Sequence, residues 1–160
     1  MRHTITILVE NEFGVLTRIA GLFSARGYNI ETLNVAPTLD ETVSRLTLVT
    51  RGDEKIIEQI KKQLNKLIPV IKVEDISHMV HLERGMLMLK VIDTGGLRQE
   101  AEASGATIID HEADSYFIVE FTGSPEALDD FLASIDVEYI IEASRTGPVG
   151  MRRGSKGFVV

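Results

Sequence analysis

The sequence predicts an α+β fold built from two successive β-α-β-β-α-β units. The spacing of hydrophobic residues changes between the two-residue repeat of strands and the 3.6-residue repeat of helices, in the same order in both halves of the 160-residue chain. Turn-forming residues such as Gly27 and Pro37 mark several of the changes. We therefore expect a first domain at residues 1–76, a linker at residues 77–83 and a second domain at residues 84–160.

The first half begins with an alternating strand in which Ile5 and Ile7 share one face. A helical stripe follows, in which Val15, Ile19 and Phe23 fall on one side. The predicted strands cover residues 4–10, 28–36, 43–50 and 70–76, and the predicted helices cover residues 14–26 and 53–68.

The second half repeats this order with weaker signals. Ser124 and Pro125 are a strong helix start, because serine caps free N–H groups and proline suits the first helical position. The predicted strands cover residues 86–92, 106–110, 116–121 and 137–144, and a short polar helix is expected at residues 97–103. Each half should form a ferredoxin-like antiparallel sheet with two helices on one face. Such a sheet has a bare face or edge, which side-by-side dimerisation commonly covers.

Composition limits the classes of function. The net charge is −7 and the pI is near 5.1, which argues against a general nucleic-acid or anionic-membrane binder. The first 76 residues are neutral, and the remainder carries the whole net charge. No acidic residue follows Glu142, so the chain ends in a basic tail. We expect this tail to be frayed, with contact to phosphate or an acidic partner as the alternative.

Cysteine is absent, which excludes disulfides and thiolate metal sites. No secretion signal or membrane-spanning run stands out in the sequence, and we expect a cytoplasmic protein.

Catalytic motifs are hard to find in this chain. Neither a phosphate-binding loop nor a G-x-S-x-G nucleophile elbow occurs. His78 and His81 are three residues apart, but no third ligand is evident, so we expect no metal site there. The acidic stretch from Asp110 to Asp114 is better explained by a hairpin turn than by acid–base chemistry. No catalytic residue is therefore predicted.

One loop does suggest a binding site. The residues from Asn11 to Leu16 join the first strand to the first helix. A helix N-terminus attracts carboxylates, and Gly14 lets a ligand approach the backbone closely. Asn11 can accept from an ammonium group or donate to a carboxylate, so a small amino acid would suit this loop. From local features alone, an ordinary helix cap is favoured over a ligand site.

The whole pattern of the first half resembles the ACT domain, an amino-acid-sensing module. More specifically, it is similar to the small regulatory subunits of acetohydroxyacid synthase (acetolactate synthase). The similar stretches are residues 10–16, 21–31, 35–38, 44–50 and 63–68, and the ending Arg145-Thr146-Gly147 … Arg153-Gly154 also looks like this family. In the second half, the stretch 83–91 departs from the family's usual strand, and the helix after it is shorter and more polar.

The resemblance implies a non-catalytic regulatory subunit. Its partner would be a large catalytic subunit that carries thiamine diphosphate, magnesium and FAD, none of which this chain is expected to bind. The small subunit would activate that partner and confer feedback inhibition by valine, in the biosynthesis of branched-chain amino acids. The chain would form a homodimer through its ACT domains.

The resemblance also implies an effector site that lies between the two ACT domains of the dimer. It falls on Asn11 and Gly14 of the first loop, with Val15 and Leu16 supplying backbone N–H groups and an apolar wall. Asn29 would come from the other protomer, and Ile30 beside it would help to close the site. The alternative function is a free-standing amino-acid-binding module that acts on another enzyme or on a transcription regulator, although no helix-turn-helix or basic recognition face is present.

Overall fold

The computed structural model describes all 160 residues, which form two compact units. The first unit comprises residues 1–82 together with residues 149–160, and the second comprises residues 83–148. None of the helices combines the length and the apolar character that crossing a membrane requires.

The first unit is a four-stranded antiparallel sheet with two helices. Its elements are β1 (Arg2–Glu10), α1 (Val15–Ser24), β2 (Ile30–Pro37), β3 (Val43–Arg51), α2 (Glu54–Leu64) and β4 (Val70–Asp75). The strand order is β2-β3-β1-β4, so β2 and β4 lie at the edges. Helix residues such as Ile19 and Phe23 join Ile5, Ile7 and Leu48 in one buried core. The sheet therefore has a helix-covered face and an outer face.

Local sequence explains where the two helices begin and end. Helix α1 is followed by Gly27, which has a positive φ of 69° that suits glycine after a helix. Helix α2 begins after Asp53, whose side chain accepts a hydrogen bond of 2.9 Å from the backbone N–H of Ile56.

The second unit has the same topology. Its elements are β5 (His81–Ile92, whose first two residues belong to the first unit), α3 (Leu97–Ala103), β6 (Thr107–Glu112), β7 (Tyr116–Gly123), α4 (Pro125–Ala133) and β8 (Ile140–Arg145). Its strand order is β6-β7-β5-β8. Ser124 caps α4 by accepting from the N–H of Ala127 at 3.2 Å. The rings of Phe121 and Phe131 stack in the core with centroids 4.5 Å apart. The predicted α+β fold of two ferredoxin-like units is therefore confirmed.

Two predictions in the second half were wrong in detail. Residues 137–139 form a single 3-10 turn instead of the start of a strand, because Asp136 accepts from the N–H of Glu138 and starts the turn. Strand β5 begins at His81, so the last three residues of the predicted linker at 77–83 belong to a strand.

The C-terminal boundary was also wrong. Residues 149–160 were assigned to the second domain, and their basic part was expected to be frayed, but they belong to the first unit. A short strand, β9 (Val149–Arg152), begins this segment. Phe158 is buried in a cluster with Leu8 and Val43, which explains why the segment stays on the first sheet. We call residues 149–160 the C-terminal strap.

Candidate functional site

The β1–α1 loop, in which the sequence predicts a ligand site, is held by the turn between β2 and β3. The backbone N–H of Asn11 donates to the carbonyl of Thr42 at 2.7 Å, and its side-chain Nδ2 donates to the carbonyl of Glu41 at 2.9 Å. These two bonds fix the backbone and the side chain of Asn11, and they leave its Oδ1 as an acceptor. Asn11 is exposed, so a ligand can reach it.

The supporting turn is itself fixed by Asp40. Its carboxylate accepts from the N–H of Thr42 at 2.9 Å and from the Thr42 hydroxyl at 2.6 Å. These hydrogen bonds stabilise the ionised form, so the pKa of Asp40 lies below its ordinary value. The turn therefore holds the two carbonyl groups that accept hydrogen bonds from Asn11 in fixed positions.

Gly14 lies at the N-cap position of α1 and leaves this helix end open. Its φ is 81°, a conformation that favours glycine, and no side chain caps the helix. A Cβ placed on Gly14 would meet no atom within 4 Å. The N–H groups of the first turn have no intrahelical partners, and they carry the positive end of the helix dipole. This end of α1 can therefore receive an anionic group such as a carboxylate.

The two residues after Gly14 differ in exposure. Val15 is 4% exposed and belongs to the core, whereas Leu16 is 42% exposed. Phe13, which precedes the glycine, is fully exposed. Leu16 and Phe13 thus flank the open helix end with apolar surface, and Val15 can contribute its backbone.

Asn29 and Ile30 lie at the other end of the same sheet. The Asn29 carbonyl accepts from the hydroxyl of Thr50 at 2.7 Å, and Ile30 pairs with Thr50 in the β2–β3 register. Asn11, in contrast, is bonded to Thr42 at the start of β3. Thr50 lies eight residue steps after Thr42, or about 26 Å at roughly 3.3 Å per residue. The structure therefore brings Asn11, Gly14, Val15 and Leu16 together but does not bring Asn29 or Ile30 to them within one chain.

A cleft of the first unit was not predicted. It has a volume of about 810 Å³ and lies between the outer face of the sheet and the C-terminal strap. Its walls include Leu8, Val43, Arg45 and Phe158. No repeat in the sequence indicated it, because the strap is too short to show a periodicity and its position depends on contacts with distant residues.

Charged side chains hold the strap in place over this cleft. The Arg45 Nη2 donates to the carbonyl of Gly150 at 2.6 Å, and its guanidinium lies 5.4 Å from the centroid of the Phe158 ring. Burial lowers the pKa of Arg45, and Glu74 opposes this shift. Arg152 pairs with Glu74 at 3.0 Å.

The acidic stretch of the second unit forms an exposed hairpin, as the turn interpretation predicts. Asp114 has a positive φ of 59°, which is typical of a turn residue. The hydroxyl of Tyr116 donates to Asp110 at 3.0 Å, and this hydrogen bond to an acidic neighbour raises the pKa of Tyr116.

Comparisons with known proteins cover both units. A family model described as an AHAS small subunit-like ACT domain matches residues 5–72, and one described as small subunit of acetolactate synthase matches residues 84–154. The chain is 47% identical to the acetolactate synthase isozyme 3 small subunit of Escherichia coli K12, with 98% of each chain covered. It is 43% identical to the probable acetolactate synthase small subunit of Archaeoglobus fulgidus, with 98% of this chain and 99% of that one covered.

A solved structure agrees over the whole length. The crystal structure of the acetolactate synthase small subunit from Thermotoga maritima superposes with a TM-score of 0.88 at 33% identity, and it covers 98% of this chain and 99% of that one.

Proposed function

The chain belongs to the family of acetolactate synthase small subunits, and from this premise we propose that it is a non-catalytic regulatory subunit that activates a large catalytic subunit and makes it sensitive to valine. The single observation that carries the effector part is the open N-terminus of α1 at Gly14, next to the fixed side chain of Asn11. Thiamine diphosphate, magnesium and FAD would be held by the catalytic partner. Both proteins would work in the cytoplasm.

The proposed ligand pose follows from the charges of an amino acid. The valine carboxylate lies at the N-terminus of α1, where free N–H groups and the helix dipole favour an anion. The ammonium group donates to Oδ1 of Asn11, because a primary ammonium needs acceptors. The branched side chain lies against Leu16. One methylene in such a pocket changes affinity by about 1–3 kcal/mol, so leucine and isoleucine should bind more weakly but not be excluded.

Pairing of two chains would complete this site. Strand β2 is at the edge of its sheet, with a free row of backbone groups. An antiparallel pairing of β2 with the same strand of a second chain brings the Ile30 end of one against the Pro37 end of the other. Pro37 pairs with Ser44 in the register, at the same end of the sheet as Asn11. Asn29 and Ile30 of the partner subunit would then face the β1–α1 loop.

This arrangement would let a small ligand regulate a large partner. A ligand held by both protomers biases how the two first units pack, and a coupling of about 1–3 kcal/mol to a catalytic partner is typical of allostery. The alternative, a free-standing amino-acid-binding module that acts on another protein, uses the same loop but does not need the catalytic subunit.

The test is a reconstitution of acetolactate formation from the purified catalytic subunit with pyruvate. Adding the chain should raise the rate, and valine should then lower it. If the rate is unchanged with and without valine, the regulatory-subunit proposal is wrong. Binding of valine to the isolated chain in the same preparation would then favour the free-standing module.

A further inference from the structure

His3 is a buried histidine with one ring nitrogen left without a partner. Its side chain is 1% exposed and lies on β1. Nδ1 is 2.9 Å from Oδ2 of Asp75 on β4, whereas Nε2 is buried and has no hydrogen-bond partner. Leaving a buried polar atom unpaired costs free energy, so such an atom calls for an explanation. A metal cation would satisfy a ring nitrogen that carries a lone pair, because the nitrogen can donate that pair to the cation.

Asp75 fixes the tautomer of this histidine. Hydrogen bonds from Ser77 and a contact with His3 hold the carboxylate of Asp75. The Ser77 hydroxyl and N–H donate to Oδ1, at 2.5 and 2.9 Å. Oδ2 therefore remains free to accept the Nδ1–H of His3, which leaves Nε2 as the lone-pair nitrogen. A carboxylate–histidine pair of this kind commonly supports a metal ligand.

A second imidazole stands beside the first. The rings of His3 and His78 meet edge to face with centroids 6.0 Å apart. Potential ligand atoms of His3, Asp75 and His78 all lie within 4.8 Å of one another. His78 is half exposed, and its Nε2 is 3.5 Å from a carboxylate oxygen of Glu54, at the start of α2. Two ligands of one Zn²⁺ are about 3.3 Å apart, given bonds of roughly 2.0–2.1 Å in a tetrahedron. The side chains of His78 and Glu54 are exposed, so they can move until their ligand atoms reach this separation.

We propose that His3 and His78 bind one divalent cation of the zinc class, with Asp75 orienting His3 and Glu54 supplying a carboxylate ligand. Imidazole and carboxylate ligands together suit Zn²⁺ and its transition-metal neighbours, whereas Mg²⁺ and Ca²⁺ prefer oxygen alone. The site joins β1, β4, the loop after β4 and the start of α2. It lies at the sheet end that contains Thr50, the register partner of His3, and not at the Asn11 end. It shares no residue with the proposed valine site, although Asn29 and Ile30 of that site lie at the same end of the sheet.

The sequence predicts no metal site at His78 and His81, and the proposed site uses a different pair of histidines. His78 and His81 are close in sequence, but Nδ1 of His81 is 2.7 Å from the carbonyl of Met79. His3 takes the place of His81 because the antiparallel pairing of β1 with β4 brings the two ends of the first unit together.

The experiment is a calorimetric titration of the untagged full chain with Zn²⁺. We expect one ion per chain, and a rise in Tm on adding Zn²⁺, since a ligand that binds only the folded state stabilises it. The His78→Asn variant should lose at least tenfold in affinity and most of the Tm shift. Glu54→Gln should lose less. The matched control is His111→Asn, an exposed histidine of the second unit, which should bind Zn²⁺ as the natural chain does.

Nitrogen NMR of the imidazole rings provides a direct readout. Zn²⁺ should shift the Nε2 resonance of His3 while leaving its Nδ1 protonated, and Mg²⁺ at the same concentration should shift neither. Substitution of the buried His3 could unfold the unit. The test therefore uses His78→Asn, because a change at the exposed His78 leaves the fold intact. Absence of saturable binding in the natural chain, or equal affinity in natural chain and His78→Asn, would overturn the proposal.

Discussion

Phe158 packs against Leu8 on the outer face of the first sheet, two residues before the last residue of the chain. The alternation of β1 turns Leu8 away from the core that contains Ile7 and Val9. Phe158 is only 7% exposed, and both Arg45 and Lys72 place their cationic groups over its ring, at 5.4 and 5.2 Å from the centroid. The chain thus covers part of its own bare sheet face, while the β2 edge remains open to a second chain.

The first prediction concerns this anchor. Phe158→Ala should lower the free energy of unfolding of the first unit by about 3 kcal/mol, because a buried aromatic side chain is lost from a packed cluster. Phe13→Ala is the matched control, since Phe13 is fully exposed and its removal should change stability by less than about 0.5 kcal/mol. Urea unfolding measures both. Equal stability of the two variants would contradict the anchoring role.

The second prediction concerns the open helix end. Gly14→Asp should abolish valine inhibition and largely keep activation of the catalytic subunit, because it places a carboxylate where the ligand's carboxylate is expected. Gly14→Asn introduces the same backbone strain without the charge, and it should retain more valine inhibition than Gly14→Asp. Gly95→Asp is the control for backbone strain: Gly95 has a φ of 80°, its Cβ position is also open, and it lies in the second unit.

Calorimetry with valine supplies the measurement for these three variants. Unchanged valine binding in Gly14→Asp would remove Gly14 from the site, and loss of binding in Gly95→Asp would mean that strain, not charge, is the cause.

The third prediction tests whether the site is shared between protomers. Asn29→Ala should weaken valine inhibition without loss of stability, because the structural hydrogen bond at this position uses the backbone carbonyl and not the side chain. Gly14→Asp and Asn29→Ala chains, unfolded together and refolded as a mixture, should regain part of the inhibition. In each mixed dimer, one of the two shared sites has neither substitution. If the mixture is as insensitive as the separate variants, Gly14 and Asn29 do not share a site across the dimer.

The fourth prediction uses two glycines with opposite surroundings. Gly21→Ala, on the exposed side of α1 with no atom near its Cβ position, should stabilise the protein by about 0.5–1 kcal/mol. Gly150→Ala should destabilise it by about 1–3 kcal/mol, because the new Cβ would lie 2.8 Å from the Cδ1 of the buried Ile76. Thermal unfolding of both variants checks the sign of each effect, and a Tm for Gly150→Ala equal to the natural one would show that the strap packs loosely.

The sequence by itself determined most of the elements and their order. The alternation around Ile5 and Ile7, the stripe through Ile19 and Phe23, and the cap formed by Ser124 are local signals, since each depends on residues within a few positions of one another. Local signals also placed Asn11 and Gly14 between the end of a strand and the start of a helix, because that placement needs no distant partner. They could not separate the 3-10 turn at Val137–Tyr139 from the strand after it.

Only the tertiary structure decided which distant residues meet. The register of β3 places Asn29 at the opposite end of the sheet from Asn11, the β1–β4 pairing brings His3 to Asp75, and burial of Phe158 returns the end of the chain to the first unit. Such contacts depend on strand pairing and on the packing of whole elements, where one residue of register shift moves every side chain to the other face. No pattern within a short stretch of sequence carries that information.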